Sequence, residues 1–339
     1  MKLFVTGGAG FIGSHFIRHM LRTHPGCQIV NFDKLTYAGN LDNVRDVEAS
    51  PRYRFVRGDI CDPSAVLAAL EEGTDAIVNF AAETHVDRSI EEAAPFVRTN
   101  VLGVQVLLDA ARVRRVQRFV QVSTDEVMGS LGPTGYFTEE SPLRPNSPYA
   151  ASKAAAELLV RAAHRTFGMD VLIVRAGNNY GPYQFPEKLI PLVITNAMAD
   201  LPLPIYGDGR QVRDWIYVED YCRALDLILY RGRAGEIYCV GARAERTNLE
   251  VVEMILGLLG KPLSLIRFVE DRPGHDRRYA IDPSKVEREF GWRPLETFES
   301  GLRKTIAWYQ ANRAWVEKVR SGEYRQYYER MYGRRREIG

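Results

Sequence analysis

The chain has 339 residues, of which 45% are hydrophobic and 26% charged, with a formal net charge of +2. That is an ordinary globular composition, long enough for one large α/β unit and a smaller region. The balanced charge gives no support for a nucleic-acid groove or a membrane surface, and no apolar run is long enough to span a bilayer. The N-terminus enters a strand and a Gly-rich turn directly, without the basic and apolar regions of a secretory signal. Cys27, Cys61, Cys222 and Cys239 form no C-x-x-C pair and none stands beside a His at metal-ligand spacing. Buried thiols in a reducing compartment, no metal site and a cytoplasmic location are therefore expected.

In chain order, strands are predicted at Lys2–Thr6, Gln28–Phe32, Tyr53–Val56, Ala76–Phe80, Arg118–Val122 and Val171–Val174. Helices are predicted between them at Gly13–Arg22, Pro63–Glu72, Val97–Arg112 and Ser152–Phe167. This alternation implies a parallel sheet covered on both faces. The second half is less regular and rich in Pro and aromatics around Tyr180–Tyr206. Helices are predicted there at Glu219–Leu229, Asn248–Leu259 and Phe298–Asn312, and a strand at Glu236–Val240. No internal repeat or low-complexity linker interrupts the chain. A border near Arg175–Tyr180 divides a cofactor domain, 1–178, from a mainly substrate-binding domain, 179–339, with elements near 207–241 returning to the first. The basic end Arg334–Arg336 reads as a solvated tail.

Gly7-Gly-Ala-Gly10-Phe-Ile-Gly13 follows the first strand and opens the first helix. Glycine is required where backbone turns tightly and approaches a pyrophosphate, and the helix N-terminus adds unpaired N–H groups and a positive dipole end. Asp33 closes the second strand 20 residues beyond Gly13. A carboxylate there accepts the ribose hydroxyls of NAD and repels the extra phosphate of NADP; the neighbouring Lys34 slightly weakens that exclusion. The G-x-x-G-x-x-G spacing resembles the short-chain dehydrogenases, which implies a Rossmann-type doubly wound parallel sheet with a smaller mixed α/β substrate-binding domain. In that resemblance Asp59 and Ile60 correspond to the adenine contact, and Ala81 and Ala82 to the turn beside the nicotinamide.

Tyr149-Ala-Ala-Ser-Lys153 matches the Y-x-x-x-K of the same superfamily, and Ser123 precedes it after the fifth strand. Residues four apart share a helix face. Lys153 is thus expected to place its ammonium near the Tyr149 phenol, which ordinarily titrates near ~10, and to favour phenolate. The segment Ser123-Thr-Asp-Glu-Val-Met-Gly129 adds two adjacent carboxyls. Asp125 and Glu126 can serve one substrate only where the strand has ended and the chain turns, which Gly129 permits. In one closed pocket the two cannot both ionise easily, so one acid and one base are expected. Loss of water from adjacent carbons needs such a pair.

Here the resemblance narrows. Ala81–Ile90, Ser123–Val127, Asn146–Lys153, Asn178–Pro191, Gly207–Trp215 and Arg272–Tyr279 together resemble the dTDP-glucose 4,6-dehydratases over nearly the whole chain. That likeness implies NAD that stays bound through each turnover, a dTDP-hexose substrate and a homodimer built on Val97–Arg112 and Ser152–Phe167. It further assigns Phe11, Ile12, Thr36, Thr99 and Asn178 to the cofactor, beside the residues already named, with Ser123, Tyr149 and Lys153 shared. Thr124, Asp125, Glu126, Tyr149 and Lys153 become the catalytic set. Tyr149 takes the C4 hydroxyl proton, Thr124 bonds the C4 oxygen, Glu126 removes the C5 proton and Asp125 protonates the departing C6 hydroxyl. Lys188, Arg213 and Arg272 are the implied diphosphate partners, with Asn179, Asn248 and His275. Leu189, Pro204 and Tyr206 complete the nucleotide end, Pro204 and Tyr206 lying in the segment that packs on the base. His85 reads equally as a packed, turn-forming residue or as a wall of the sugar pocket. The family carries Tyr where Met128 stands, which removes a phenolic hydrogen bond.

Two alternatives stay open. One is a UDP- or GDP-sugar dehydratase or a 4-epimerase of the same superfamily; the Asp125–Glu126 pair argues against the epimerase. The other is a non-catalytic NAD-binding regulator, which would have been free to lose Tyr149, Lys153 or the carboxyl pair.

Overall fold

The structure is a computed structural model describing residues 1–321, 323–332 and 335–338, apart from the side chains of Glu323, Arg325 and Tyr327. Twelve strands follow in chain order among these residues: β1 (Lys2–Thr6), β2 (Gln28–Asp33), β3 (Tyr53–Arg57), β4 (Ala76–Asn79), β5 (Arg118–Thr124) and β6 (Val171–Ala176) in the first half. The second half holds β7 (Asn178–Tyr180), β8 (Leu203–Tyr206), β9 (Val212–Tyr217), β10 (Ile237–Val240), β11 (Glu245–Thr247) and β12 (Ile266–Val269). Seven form one sheet in the order β10-β6-β5-β4-β1-β2-β3, parallel throughout. The order of connection reverses between β1 and β4, and in such sheets ligands bind outside the strands' carboxyl ends at that point. There the buried Thr6, Asn79 and Gln121 side chains join β1, β4 and β5 by hydrogen bonds of 2.5 and 2.9 Å.

Apolar residues on both sides of these strands force a two-faced sheet. Helices Phe11–Thr23 and Val218–Arg231 cover one face through Phe16, Met20, Tyr221 and Leu225. Helices Pro63–Ala69, Gly103–Val113 and Pro148–Phe167 cover the other through Val66, Leu107 and Val160. A third core, around Tyr180, Val193, Trp215, Ile255 and Tyr309, builds the smaller region. It carries β11-β9-β7 and the parallel pair β12-β8.

Several boundaries differ from the sequence expectation for local reasons. The helix expected from Ser152 begins at Pro148, because the Ser147 hydroxyl accepts the Ala150 amide and Pro148 suits a first helical position. Tyr149 and Lys153 therefore both lie within it. The helix expected over Val97–Arg112 is interrupted: Ala94–Val97 is α-helical, Arg98–Leu102 forms a π-turn in which the Gly103 amide reaches Arg98 O, and α-helix resumes at Gly103. Arg334 lies outside the described residues. Arg335 is not merely solvated as expected; it sits 4.3 Å over the Tyr206 ring and 3.5 Å from Asp87. The backbone around it pairs with β12 through Ile338 N–H to Phe268 O.

Candidate active site

A cleft of about 1610 Å³, open mouth included, runs along the carboxyl ends of β1, β2, β4, β5 and β6. Its floor is the glycine turn. A Cβ on Gly13 would stand 2.5 Å from Gly7 O, and one on Gly7 2.6 Å from Ala81 N, so side chains are excluded where a diphosphate must approach. Phe11 and Ile12 open the helix beside it, and Gly7, Gly10 and Gly13 line the floor. Asp33 accepts the Ala9 and Leu35 amides at 2.9 and 2.8 Å. Burial nevertheless holds its carboxyl above the usual range. Lys34 turns to Asp59, 2.8 Å away, so its charge is already engaged. Thr36, Ile60, Ala81, Ala82, Thr99, Ser123 and Asn178 line the same cleft. The amide oxygens of Asn178 and Asn179 have no hydrogen-bond partner among the described residues. This glycine cradle, end carboxylate and set of free acceptors fit a dinucleotide. Replacing Asp33 with Asn should cost roughly tenfold or more in NAD affinity, since a charge-assisted hydrogen bond is lost, and should narrow discrimination against NADP. Cofactor exchange followed by fluorescence checks this; unchanged discrimination would contradict it.

The reacting groups converge where β5 ends. Asp125–Met128 forms a single 3₁₀ turn capped by Thr124, whose hydroxyl accepts the Glu126 amide at 3.3 Å and donates to Asp125 Oδ1 at 3.1 Å. Gly129 ends the turn at φ 82°, and a Cβ there would stand 2.4 Å from Arg144 O. The turn directs both carboxyls into the cleft beside Tyr149 and Lys153. Their environments separate them. Asp125 is pushed well above the carboxylate range by burial and then by Glu126, and its Oδ2 has no hydrogen-bond partner among the described residues. Glu126 is also raised by burial, but Arg272, Lys188 and Arg213 oppose the shift. The arrangement gives an acid with a free oxygen, pushed toward its neutral form, beside a second whose charged form three cations favour.

One expectation is corrected, that Lys153 lowers the phenol pKa. The Lys153 ammonium donates to Val122 O at 2.7 Å. Burial brings its pKa down to about 8, against the pull of Glu157. The Tyr149 phenol is accordingly raised, by burial first and then by Glu126, with only a hydrogen bond to Thr124 acting the other way. Shared helical spacing brings both residues to the cleft, where a β5 carbonyl holds the ammonium.

Toward the smaller region, Arg213 stacks 4.2 Å over Tyr279 and donates to Asp276 O. His275 bonds Asp271 at 2.6 Å and meets the Tyr206 ring edge-on. With Lys188, whose ammonium reaches Thr84 O at 2.8 Å, and Arg272, these form one basic end of the site. Asn179 lines the cleft and Leu189 opens the helix Leu189–Met198. Pro204 is buried in β8, and the Asn248 amide bonds Gln211 O. His85 is 4% exposed, caps the helix Val86–Glu91 and approaches Glu187 O at 3.4 Å. That geometry fits the packed reading, and burial pushes its pKa well below the ordinary imidazole value. Met128 fills the place of the usual Tyr within an apolar cluster with Val127, Phe137 and Tyr279.

Sequence reading missed residues that hold the site together. Glu157, fully buried, accepts the Ser123 hydroxyl at 2.6 Å and pairs with buried Arg175 at 2.8 Å. Asn100, in the π-turn, ties Glu83 of the β4 loop to Ser152 of the catalytic helix. Glu157 stands one further helical step beyond Lys153, a spacing that could have drawn attention to it; Asn100 carries no sequence signal.

The parallel sheet, glycine floor and Tyr–Lys helix define an extended short-chain dehydrogenase-type, cofactor-dependent enzyme of nucleotide sugars. A family model described as GDP-mannose 4,6 dehydratase matches residues 4–305. A dTDP-glucose 4,6-dehydratase of Streptomyces niveus is 54% identical, over 95% of this chain and 96% of its own. The crystal structure of DesIV, a dTDP-glucose 4,6-dehydratase from Streptomyces venezuelae with NAD bound, is 54% identical with a TM-score of 0.92, covering 94% of this chain and all of that one. A UDP-glucose 4-epimerase of Thermus thermophilus, in complex with NAD, superposes with a TM-score of 0.85 at 31% identity, over 92% of this chain and all of that one. The chain belongs to the dTDP-glucose 4,6-dehydratase family.

Proposed function

We infer that the protein is a hydro-lyase converting dTDP-glucose to dTDP-4-keto-6-deoxyglucose with NAD. The observation that carries this reading is the Asp125–Glu126 pair, one carboxyl with a partnerless oxygen and pushed well above the carboxylate range by burial, the other facing three cations, on the turn beside Tyr149. An epimerase needs neither. When bound, NAD supplies a hydride acceptor at C4 and later a donor at C6, and its positive ring adds a cationic field beside the buried phenol. Gly7, Gly10, Gly13, Asp33 and the Asn178 side chain would hold it.

The chain's own residues divide the remaining work. Tyr149 takes the C4 hydroxyl proton while Thr124 donates to the oxygen that becomes a carbonyl. That carbonyl acidifies C5, from which Glu126 takes a proton. Asp125 delivers its proton to the C6 hydroxyl, which leaves as water, and Glu126 returns its proton to C5 when C6 is reduced. Lys188, Arg213 and Arg272 offset the substrate diphosphate. The large sheet thus serves the cofactor and the smaller region the nucleotide. Incubation with dTDP-, UDP- and GDP-glucose, scored by the alkaline absorbance of the keto sugar, tests the reading. It expects turnover of the dTDP sugar above the others; a preference for UDP- or GDP-glucose would replace it.

We also propose a homodimer on the two helices that expose apolar side chains together: Val97 is 55%, Leu102 51% and Leu158 54% exposed. Val97, Leu102 and Leu159 line one shallow apolar groove. Placing Asp at both Val97 and Leu158 should yield monomers by light scattering, whereas an unchanged mass would remove this face from consideration. The four unpaired thiols support a reducing, cytoplasmic setting.

A further inference from the structure

The cofactor cleft has two lips from distant parts of the chain. One is the loop after β2, with Thr36, Ala38 and Gly39 on its inner side; the other is the segment Gln184–Lys188. Leu35, at φ 58°, turns the first lip so that Tyr37 points across the cleft mouth. The Tyr37 hydroxyl donates to Glu187 Oε1 at 3.1 Å. Arg88, at the start of the helix after β4, donates to Glu187 Oε2 at 3.3 Å and lies 3.9 Å over the Tyr37 ring. Phe185 meets that ring edge-on at 5.5 Å. The second lip is anchored to the smaller region: Tyr309 donates to Gln184 O at 2.5 Å and Tyr324 to Pro186 O at 3.0 Å.

We propose that Tyr37, Arg88 and Glu187 form a latch across the cofactor cleft that keeps NAD(H) bound between oxidation at C4 and reduction at C6. This deepens the reading above, in which one cofactor molecule serves both steps. A cofactor lost midway would strand an oxidised sugar and halt the cycle. Tyr37 and Arg88 do not line the cleft. They act by tying its walls and are positioning residues. Glu187 is 5% exposed, and a buried carboxylate is tolerated only where partners satisfy it. Withdrawing Gln184–Lys188 breaks both Glu187 contacts at once, so the closed form is favoured until something replaces them.

The test uses the holoprotein loaded with NADH, without sugar. Dissociation is followed by loss of bound-cofactor fluorescence during a chase with excess NAD. Tyr37→Phe removes only the hydroxyl and Glu187→Gln keeps the volume. Both should release NADH roughly tenfold faster or more, the factor expected when a hydrogen bond to a charged group is lost. During turnover of dTDP-glucose, Tyr37→Phe should also spill NADH into solution and stall, with added NAD restoring the rate. Release as slow as in the unaltered protein, in both variants with folding confirmed by circular dichroism, would overturn the latch. Because the chase contains no sugar, its outcome is independent of which nucleotide sugar is dehydrated.

Discussion

A protein carrying Asp125→Asn with Glu126→Gln should oxidise its substrate at C4 and go no further. Mixed with dTDP-glucose, it should show NADH absorbance at roughly 340 nm that builds and persists, while the 4-keto-6-deoxy product falls by roughly 10⁴-fold or more, since each acid–base group contributes about 10²–10⁴. Both substitutions keep side-chain volume, and Thr124 keeps its cap on the Glu126 amide, so the turn should survive. The single variants should separate the roles by pH. Glu126 acts ionised, and burial raises its pKa, so elimination falls as pH drops through a value above the ordinary carboxylate range. Asp125 acts protonated and is raised further, so elimination also falls as pH climbs through its higher value. Asp125→Asn should lose that alkaline limb and Glu126→Gln the acidic one. Near-normal product from the double variant would remove both residues from the chemistry.

The second large effect is expected at Tyr149. Replacement by Phe removes one hydroxyl from a buried ring that packs edge-on to Phe96, so stability and cofactor content should hold. The rate of C4 oxidation, read as NADH formation in a single turnover, should fall by roughly 10²–10⁴-fold. Because Lys153 donates to Val122 O and leaves the phenol raised, Lys153→Met should act differently. It should loosen cofactor binding as well as slow oxidation. If Tyr149→Phe oxidised C4 at the normal rate, another base would have to be sought, and Glu126, which lines the same cleft, is the first candidate.

Much of this was legible in the chain because its signals are local. Gly7 to Gly13, Asp33 and Tyr149 to Lys153 each sit at the end or start of one element, so strand–helix alternation alone carries them to the same sheet edge. Ser147 and Pro148 set the catalytic helix in advance of its periodic apolar stripe, which explains the four-residue error at its start. The basic end was legible only through resemblance, since Arg272 and His275 come from an irregular segment and Arg213 from a short strand, β9, in the less regular half. Glu187 and Tyr37 are 150 residues apart, and Glu157 and Ser123 are 34 apart. Contacts of that kind depend on how finished elements pack, and no periodicity announces them.

The π-turn at Arg98–Leu102 amounts to one residue more than a regular helix would use. An α-helix advances about 100° per residue, so an extra residue in regular helix would turn its two ends by that angle relative to each other; the wider turn takes the residue up and keeps Ala94–Val97 and Gly103–Val113 in phase. Within that turn Thr99 lines the cleft and Asn100 reaches Ser152 of the catalytic helix. A shortened loop elsewhere could be absorbed; this single extra residue holds an inward-facing and an outward-facing phase on one rod.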